Sequence, residues 1–272
     1  MLHSLVLCRA CGAPLSFSRD GARQCCNLPQ GSALRSGFII HDTFDRSAPP
    51  DEMIVRDQDA FHYLSHPKFP TQIDRMARFV RSKSEKENGA IVLDLGCGPG
   101  PTTGMLLDAG YKVVAVDFSI QSLVVNAQLC GAPPGQALFV QADLNTIEFP
   151  ECAFDGLMMA DFLQHIGSAE TQRAFLHKIF RALKPGGWFY LSFFNTSLFD
   201  RLKGDLEGTR GDIPYRRLSL REVRCMLPKG ANAENESVMN IFHHPGLDRA
   251  ATSLPLASLF AAMAAIEGRR EA

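Results

Sequence analysis

Short apolar runs recur along the middle of this chain at the length of buried strands. Residues 91–95 read IVLDL, a brief β-rich run typical of a central parallel strand that is covered on both faces. Four later runs are predicted to be strands as well: residues 111–117, 137–143, 154–161 and 183–195. A chain of 272 residues with this pattern can hold one α/β domain of ordinary size and a small appendage.

Amphipathic helices are predicted around these strands. Ser168 has the position of an N-cap, and the helix after it has an apolar side: Phe175, Leu176, Ile179 and Leu183. Ser219 and Glu222 have the spacing of a capping box that opens another helix. One or two helices ahead of the first strand are predicted from apolar residues at helical spacing: Ile73, Met76, Ala77 and Val80. This order predicts an α/β fold with a doubly wound, mostly parallel sheet.

The pattern after residue 222 is less regular. One further strand is predicted over residues 236–244, and the Ala-rich stretch of residues 254–268 is predicted to be a helix that packs on the domain or on a second subunit. The sheet edge is therefore expected to be shortened, unless another strand lies in residues 228–234.

Three glycines follow the first strand at alternating positions, Gly96, Gly98 and Gly100. Because glycine has no Cβ, the backbone of such a turn can approach a ligand closely. The spacing excludes the dinucleotide fingerprint G-x-G-x-x-G/A, whose last position falls on Pro101 or Thr103. The match is instead to D-x-G-x-G-x-G.

The stretch DLGCGPG resembles the first motif of the class I S-adenosylmethionine-dependent methyltransferases. The four later strands are similar to the corresponding segments of that family, in order, so the resemblance covers residues 90–195. It implies a Rossmann-like methyltransferase fold and S-adenosyl-L-methionine as cofactor. It also implies a set of cofactor contacts: Asp94, Gly96, Cys97, Gly98, Gly100, Asp117, Phe118, Asp143, Leu144 and Asp161.

Two of these acids are expected to contact particular parts of the cofactor. Asp117 ends the second strand about twenty residues after the first glycine, where a carboxylate accepts hydrogen bonds from ribose hydroxyls. The resemblance places Asp143, with the backbone of Leu144, beside the adenine amino group. A strand-terminal aspartate is also often a helix cap, although Ser119 is the expected cap of the helix after Asp117.

Catalysis is expected to depend chiefly on positioning, because the cofactor supplies an electrophilic methyl group and the acceptor atom must lie in line behind it. His165 lies just beyond the fourth strand and its side chain can take up a proton near neutral pH. It is predicted to act with Asp161 at the catalytic site. The alternative is that His165 only hydrogen-bonds the cofactor or caps a turn.

The N-terminal segment, residues 1–45, holds four of the eight cysteines: Cys8, Cys11, Cys25 and Cys26. The Cys8-x-x-Cys11 pair resembles the first knuckle of a zinc ribbon and predicts a structural Zn²⁺ site completed by the later cysteines. The second knuckle departs from the pattern because its cysteines are adjacent. The fourth ligand therefore stays open between Cys26, His41 and His3, and a ribbon that has lost its metal is the alternative.

Residues 46–89 are predicted to be a helical linker, which the resemblance implies to be a lid over the cofactor, and residues 90–272 the catalytic domain. A cluster in the linker supplies candidate acceptor contacts, with ordinary packing as the alternative: Phe61, His62, Tyr63 and His66.

Charge and composition narrow the partners. The net charge is −1 and the pI is about 6.7, so a global basic field for nucleic acid is missing, although a local patch is not excluded. No apolar run reaches the roughly 18 residues of a membrane span, and the N-terminus lacks a secretory signal. With scattered cysteines, this predicts a cytoplasmic protein with no membrane partner.

The methyl acceptor is expected to be a small molecule methylated on O or N, because MMADFLQHI resembles the matching segment of small-molecule methyltransferases. The order of zinc-ribbon-like segment, linker and catalytic domain also resembles the enzymes that methylate a guanine ring nitrogen of ribosomal RNA. RNA is therefore the alternative partner, with phosphate contacts from Arg9, Arg19, Arg23 and Arg35. A non-catalytic regulator is a third alternative, disfavoured because the glycine turn is intact.

Overall fold

The computed structural model describes residues 2–7, 32–35, 38–42, 54–58, 69–84, 89–210, 213–241, 250–254 and 256–272. Its strands are β1 (Ser32–Arg35), β2 (Phe38–Asp42), β3 (Ile91–Leu95), β4 (Lys112–Asp117), β5 (Ala137–Gln141), β6 (Phe154–Met159), β7 (Leu183–Phe194), β8 (Glu207–Arg210), β9 (Ile213–Arg216), β10 (Ala231–Met239) and β11 (Met263–Arg270).

Its α-helices are α1 (residues 54–58), α2 (Phe69–Ser84), α3 (Pro101–Asp108), α4 (Ile120–Cys130), α5 (Ala169–Ala182), α6 (Leu198–Lys203) and α7 (Leu220–Met226), and residues 250–252 are helical as well. Short 3₁₀ helices cover Leu2–Leu5, Leu163–His165 and Ala257–Leu259. None of the helices in the described ranges combines the length and the apolar character needed to cross a membrane.

Nine strands form one sheet in the order β1-β2-β5-β4-β3-β6-β7-β11-β10. The five predicted strands are confirmed as β3 to β7, and neighbouring strands among them pair in parallel. Strand β2 extends the sheet in parallel beside β5, and β1 pairs with β2 in antiparallel orientation. Strands β8 and β9 form a separate hairpin.

Helices cover both faces of the sheet, because side chains of each strand alternate between two cores. In β3, Leu93 and Leu95 join the core under α5 and α7, whereas Val92 joins the core under α2, α3 and α4. The structure is therefore a mixed α/β fold with a mostly parallel, Rossmann-like sheet.

The predicted helix starts are confirmed. Ser119, Ser168 and Ser219 are the N-caps of α4, α5 and α7, and each side chain accepts a hydrogen bond from a backbone N–H of the first turn. Glu222 completes the capping box of α7 as its spacing predicted.

The predicted C-terminal helix over residues 254–268 is wrong, because residues 263–268 belong to β11 and only a short 3₁₀ helix, Ala257–Leu259, precedes them. Strand β11 lies between β7 and β10, antiparallel to both, so it is buried by strands on either side. Small side chains are required there: a Cβ on Gly268 would lie 2.0 Å from the backbone oxygen of Asn232. Tertiary pairing thus overrides the helix propensity of alanine, and the sheet edge is not shortened.

Helix α2 is fixed against the sheet by aromatic contacts. The Phe79 ring lies 5.4 Å from that of Trp188 and 5.2 Å from that of Tyr190, both on β7. Gly156 on β6 makes room for the indole, since a Cβ there would lie 2.3 Å from the Trp188 ring. This packing fixes the C-terminal half of α2 against the sheet.

Candidate functional site

Four acidic residues lie at or near the carboxyl ends of neighbouring strands of the sheet. Asp94 is near the end of β3, Asp117 ends β4, Asp143 follows β5 and Asp161 follows β6. These four strands are neighbours and run in parallel, so their carboxyl ends meet at the same edge. In open α/β sheets, that edge forms the crevice in which ligands bind.

The glycine turn joins β3 to α3 with positive φ angles at Gly96 (63°), Gly98 (53°) and Gly100 (111°). A Cβ on Gly96 would lie 2.6 Å from the Phe162 ring, and one on Gly100 would lie 2.5 Å from Asn126 Oδ1. A Cβ on Gly98 would meet no atom of the described residues within 4 Å. Packing therefore requires glycine at positions 96 and 100. Beside Gly98 there is room that a ligand can occupy.

Buried side chains hold the turn from beneath. Thr103 Oγ1 donates to Asp94 Oδ2 at 2.8 Å, and Asn126 Nδ2 donates to Thr103 Oγ1 at 2.9 Å and to the carbonyl of Gly98 at 3.1 Å. Burial raises the pKa of Asp94 to about 7, and the hydrogen bond from Thr103 opposes that rise. The network links Asp94 to the backbone of Gly98 and so sets the conformation of the turn.

Cys97 lies within the turn and its side chain is buried. Burial, with the negative charges of Asp117 and Asp94 nearby, raises the pKa of its thiol well above the usual range. The thiol therefore stays protonated and unreactive near neutral pH.

Asp117 joins the glycine turn to the start of α4. Its Oδ2 accepts from the backbone N–H of Gly98 at 2.9 Å, and its Oδ1 accepts from that of Ser119 at 2.9 Å. Burial raises the pKa of Asp117, while these two bonds and the positive charge of Arg56 oppose the rise. The carboxylate is thus oriented from both sides.

Helix α1 contacts the same corner from the linker. Asp57 Oδ1 accepts from Ser119 Oγ at 2.5 Å and from the backbone N–H of Gln121 at 3.1 Å. A carboxylate at this end of α4 is also favoured by the helix dipole. The other linker candidates lie outside the described residues: Phe61, His62, Tyr63 and His66.

The loop after β5 lies beside Asp117. Ala142 donates its N–H to the carbonyl of Asp117 at 2.9 Å, and Gln141 Nε2 donates to that of Phe118 at 3.0 Å. Asp143 Oδ1 accepts from the backbone N–H of Asn145 at 2.8 Å, an Asx turn, and Leu144 is buried in the core.

Asp161 has a left-handed backbone, with φ of 54°, which is uncommon for a residue other than glycine and marks functional sites. Its Oδ1 accepts from Ser192 Oγ at 2.7 Å, and its Oδ2 accepts from Nε2 of Gln72 on α2 at 2.5 Å. Burial raises the pKa of Asp161 to about 6, and both hydrogen bonds oppose the rise. A carboxyl of this pKa can exchange a proton near neutral pH.

His165 follows Asp161 in the 3₁₀ helix Leu163–His165. Its Nδ1 lies 2.7 Å from the carbonyl oxygen of Pro214 in β9, which can only accept, so Nδ1 carries the proton. Its Nε2 lies 3.3 Å from Nε2 of Gln164, which donates to it. The neutral ring therefore presents Nε2 as its basic nitrogen.

The predicted zinc ligands cannot be placed. Cys8, Cys11, Cys25 and Cys26 lie outside the described residues. Within the ranges that the structure does describe, no group of three or more His, Cys, Asp or Glu residues is arranged to hold a metal ion.

Sequence reasoning missed Thr103, Asn126, Ser192 and Gln72, all of which support the site. Asn126 and Ser192 carried a signal, since each is a polar residue within a mainly apolar buried stretch, and buried polar groups require partners. Gln72 carried none, because its contact with Asp161 joins residues 89 positions apart.

Comparison with known proteins agrees with this geometry. Residues 92–187 match the sequence model of the family described as "Methyltransferase domain". That range contains β3 to β6, the glycine turn and the four acids.

Two curated relatives match parts of the chain. A ribosomal RNA small subunit methyltransferase A of Novosphingobium aromaticivorans is 43% identical over 84 residues, which are 31% of this chain and 29% of the relative. A mitochondrial ubiquinone biosynthesis O-methyltransferase of Schizosaccharomyces pombe is 28% identical over 149 residues, 54% of this chain and 53% of the relative. The chain thus spans about half or less of these relatives.

A solved structure is similar over most of the chain. The 1,6-didemethyltoxoflavin-N1-methyltransferase of Burkholderia thailandensis, with bound 1,6-didemethyltoxoflavin and S-adenosylhomocysteine, superposes with a TM-score of 0.56 at 17% identity. The match covers 92% of this chain and 99% of that one, so the two share a fold. Residues 92–187 are thus similar to the methyltransferase-domain family, and the chain shares its fold with the Burkholderia thailandensis methyltransferase.

Proposed function

We propose that this protein transfers a methyl group from S-adenosyl-L-methionine to an oxygen or nitrogen atom of a small molecule. The observation that carries the proposal is the open side of Gly98, held between Asp117 and the Asp94–Thr103–Asn126 network. A Cβ would fill this cradle, so the residues present fit a cofactor that lies against the backbone.

The cofactor contacts are assigned along the sheet edge. When bound, the cofactor supplies an electrophilic methyl group on its sulfonium. The backbone of the turn would receive its amino-acid part, Asp117 and Phe118 its ribose, and Asp143 with Leu144 its adenine. Five further residues, in β3, in the glycine turn and after β6, are assigned to the cofactor site: Asp94, Gly96, Cys97, Gly100 and Asp161.

The acceptor side is assigned to Asp161 and His165. The base is assigned to His165 Nε2, because Nδ1 already carries the proton donated to Pro214, and Nε2 must exchange its hydrogen bond from Gln164 for one from the acceptor. Asp161, held by Gln72 and Ser192, orients the O–H or N–H of the acceptor. A proton then leaves the acceptor as the methyl group arrives, and no covalent enzyme intermediate is needed.

The cofactor assignment is tested by isothermal titration of the protein with S-adenosylhomocysteine and with NAD. We expect binding of S-adenosylhomocysteine and none of NAD, because the glycine spacing does not fit a dinucleotide. Equal or tighter binding of NAD would overturn the proposal.

The acceptor class is supported by the quinone-pathway relative and by the small heterocycle of the structural neighbour. The ribosomal RNA methyltransferase relative supports RNA as a second candidate. Labelled methyl transfer into a cell extract, separated into RNA, protein and small metabolites, decides between them. We expect label in the metabolites. Label in RNA that is lost when four arginines are neutralised would establish the other candidate: Arg9, Arg19, Arg23 and Arg35.

Further proposals concern the division of the chain into segments, a zinc ion and the location of the protein. We infer a structural zinc ion in residues 1–45, a lid in residues 46–89 and a catalytic domain in residues 90–272, in a cytoplasmic protein. Metal analysis of freshly reduced, untagged protein is expected to find about one zinc per chain, since a short cysteine-rich segment gains its stability from metal. Protein without metal would indicate a degenerate ribbon.

A further inference from the structure

Lys178 on α5 reaches across to the loop that follows β5. Its Nζ lies 3.0 Å from the carbonyl oxygen of Leu144, 2.9 Å from that of Asn145 and 3.0 Å from that of Ile147. A lysine ammonium has three N–H donors, and three backbone carbonyls of one short loop take them. Hydrogen bonds from a charged donor are stronger than neutral ones.

The loop needs such a partner because of how it closes on itself. The carbonyl of Asp143 accepts from the N–H groups of Thr146 at 3.0 Å and Ile147 at 2.9 Å, while the Asp143 side chain accepts from the N–H of Asn145. Three N–H groups of the loop are therefore used within it, and three of its carbonyls converge on one side. Lys178 supplies the donors for that side.

Lys178 is only half exposed to solvent, and its setting is unusual for a lysine. Burial lowers the pKa of its ammonium, while the negative charges of Glu148 and Asp143 oppose that change. Its Nζ also lies 5.8 Å from the centre of the Phe175 ring. The positive charge is thus held against the loop by carbonyls, nearby acids and an aromatic face.

The start of this loop is hydrogen-bonded to the residues at the end of β4 that are assigned to the ribose. Ala142 donates to the carbonyl of Asp117, and Gln141 donates to that of Phe118. The loop is therefore held between the end of β4 and Lys178. Its position relative to Asp117 depends on both attachments.

We propose that Lys178 is a positioning residue of the cofactor site, which fixes Asp143 and the Leu144 backbone for contact with adenine. This inference rests on the proposed function, because it uses the assignment of those residues to the adenine. Lys178 acts through the loop and does not touch the reacting atoms. Its loss is expected to weaken binding of the adenine part of the cofactor.

The experiment compares Lys178→Met with Arg173→Met, an exposed position on the same helix with no hydrogen bond to the loop. Calorimetry with S-adenosylhomocysteine, adenosine and homocysteine separates the two ends of the ligand. Lys178→Met is expected to weaken binding of S-adenosylhomocysteine and adenosine by about 10-fold each, without changing homocysteine binding. Arg173→Met is expected to bind all three as wild type does.

Affinities of Lys178→Met within about twofold of wild type, in folded protein, would overturn the inference while leaving the proposed function intact. Wild-type protein that binds no S-adenosylhomocysteine would instead remove the proposed function itself. Should the methionine variant not fold, Lys178→Arg is measured in its place, since it keeps the charge but cannot direct three N–H groups from one point. Loss of adenosine affinity in that variant supports the inference, and unchanged affinity rejects it.

Discussion

The three glycines of the turn after β3 look equivalent in the sequence but have different surroundings. Gly96 and Gly100 face Phe162 and Asn126, whereas Gly98 faces open space. The motif could therefore be predicted from spacing alone, but the division of roles could not, because it depends on side chains from the loop after β6 and from α4 that the fold brings together.

Gly98→Ala is expected to fold and to lose affinity for S-adenosylhomocysteine at least about 10-fold, because its Cβ occupies the cofactor side of the turn. Gly131→Ala is the matched control. Gly131 has a φ of 54°, against 53° for Gly98. A Cβ on Gly131 would also meet no atom of the described residues within 4 Å, but Gly131 lies at the C-terminal end of α4. Both variants should lose similar stability, about 1–2 kcal/mol, from the left-handed backbone. Thermal unfolding and calorimetry check this, and equal affinities would contradict it.

Asp161 gives the protein a pH-dependent stability term. Its pKa is raised to about 6 in the folded state, so the folded protein binds this proton more tightly than the unfolded chain. The stabilisation is complete below about pH 4 and is lost as the pH rises through about 6. A shift from 3.8 to about 6 corresponds to at most about 3 kcal/mol.

Asp161→Asn is therefore expected to reduce the fall in unfolding free energy between pH 4 and pH 7, measured by urea denaturation. Asparagine also tolerates the left-handed backbone, and its amide can pair with Ser192 and Gln72. Asp74→Asn on the exposed side of α2 serves as the control. The expectation fails if both variants show the wild-type pH dependence.

At the scale of elements, local patterns predicted the helix starts and the five parallel strands, but not the antiparallel end of the sheet. The capping serines of α4, α5 and α7 act on their own first turns, so sequence spacing is sufficient to find them. Strand β11 was predicted to be a helix, because its alanines satisfy helix propensity and its partners β7 and β10 are distant in sequence. The contact between α2 and Asp161 was missed for the same reason.

Ser219→Ala should lower the unfolding free energy by about 1 kcal/mol, because the N–H of Glu222 loses its acceptor. Ser219→Thr keeps a hydroxyl at this position and should cost much less. Chemical denaturation of the two variants provides the comparison, and equal costs would show that the capping bond contributes little.

At the scale of the whole molecule, β11 joins the parallel part of the sheet to its outermost strand. It pairs with β7 over Trp188 to Phe194 and with β10 over most of that strand's length. The close approach at Gly268 shows how little space is left: the Phe189 ring would lie 2.7 Å from an added Cβ.

Gly268→Ala is expected to destabilise the protein by about 3 kcal/mol, since the clash is with backbone and with a buried ring. Gly208→Ala, in the separate β8–β9 hairpin, is the control, because the three described atoms nearest to its added Cβ all belong to the Tyr215 side chain, the first at 3.4 Å. Thermal denaturation should show a clear loss for the first variant only. Comparable losses would mean that the sheet around β11 yields more easily than the packing indicates.

The position of β11, late in the chain but inside the sheet, also affects the order in which the protein folds. Strands β7 and β10 both precede it in the chain, yet neither can complete its pairing until β11 has been made and inserted between them. During synthesis, β7 therefore presents an unpaired edge, and such edges readily recruit strands from other chains. Because the missing partner is distant in sequence, closing the gap is a late and comparatively slow step. The nascent protein is thus most prone to aggregation just before this strand is inserted.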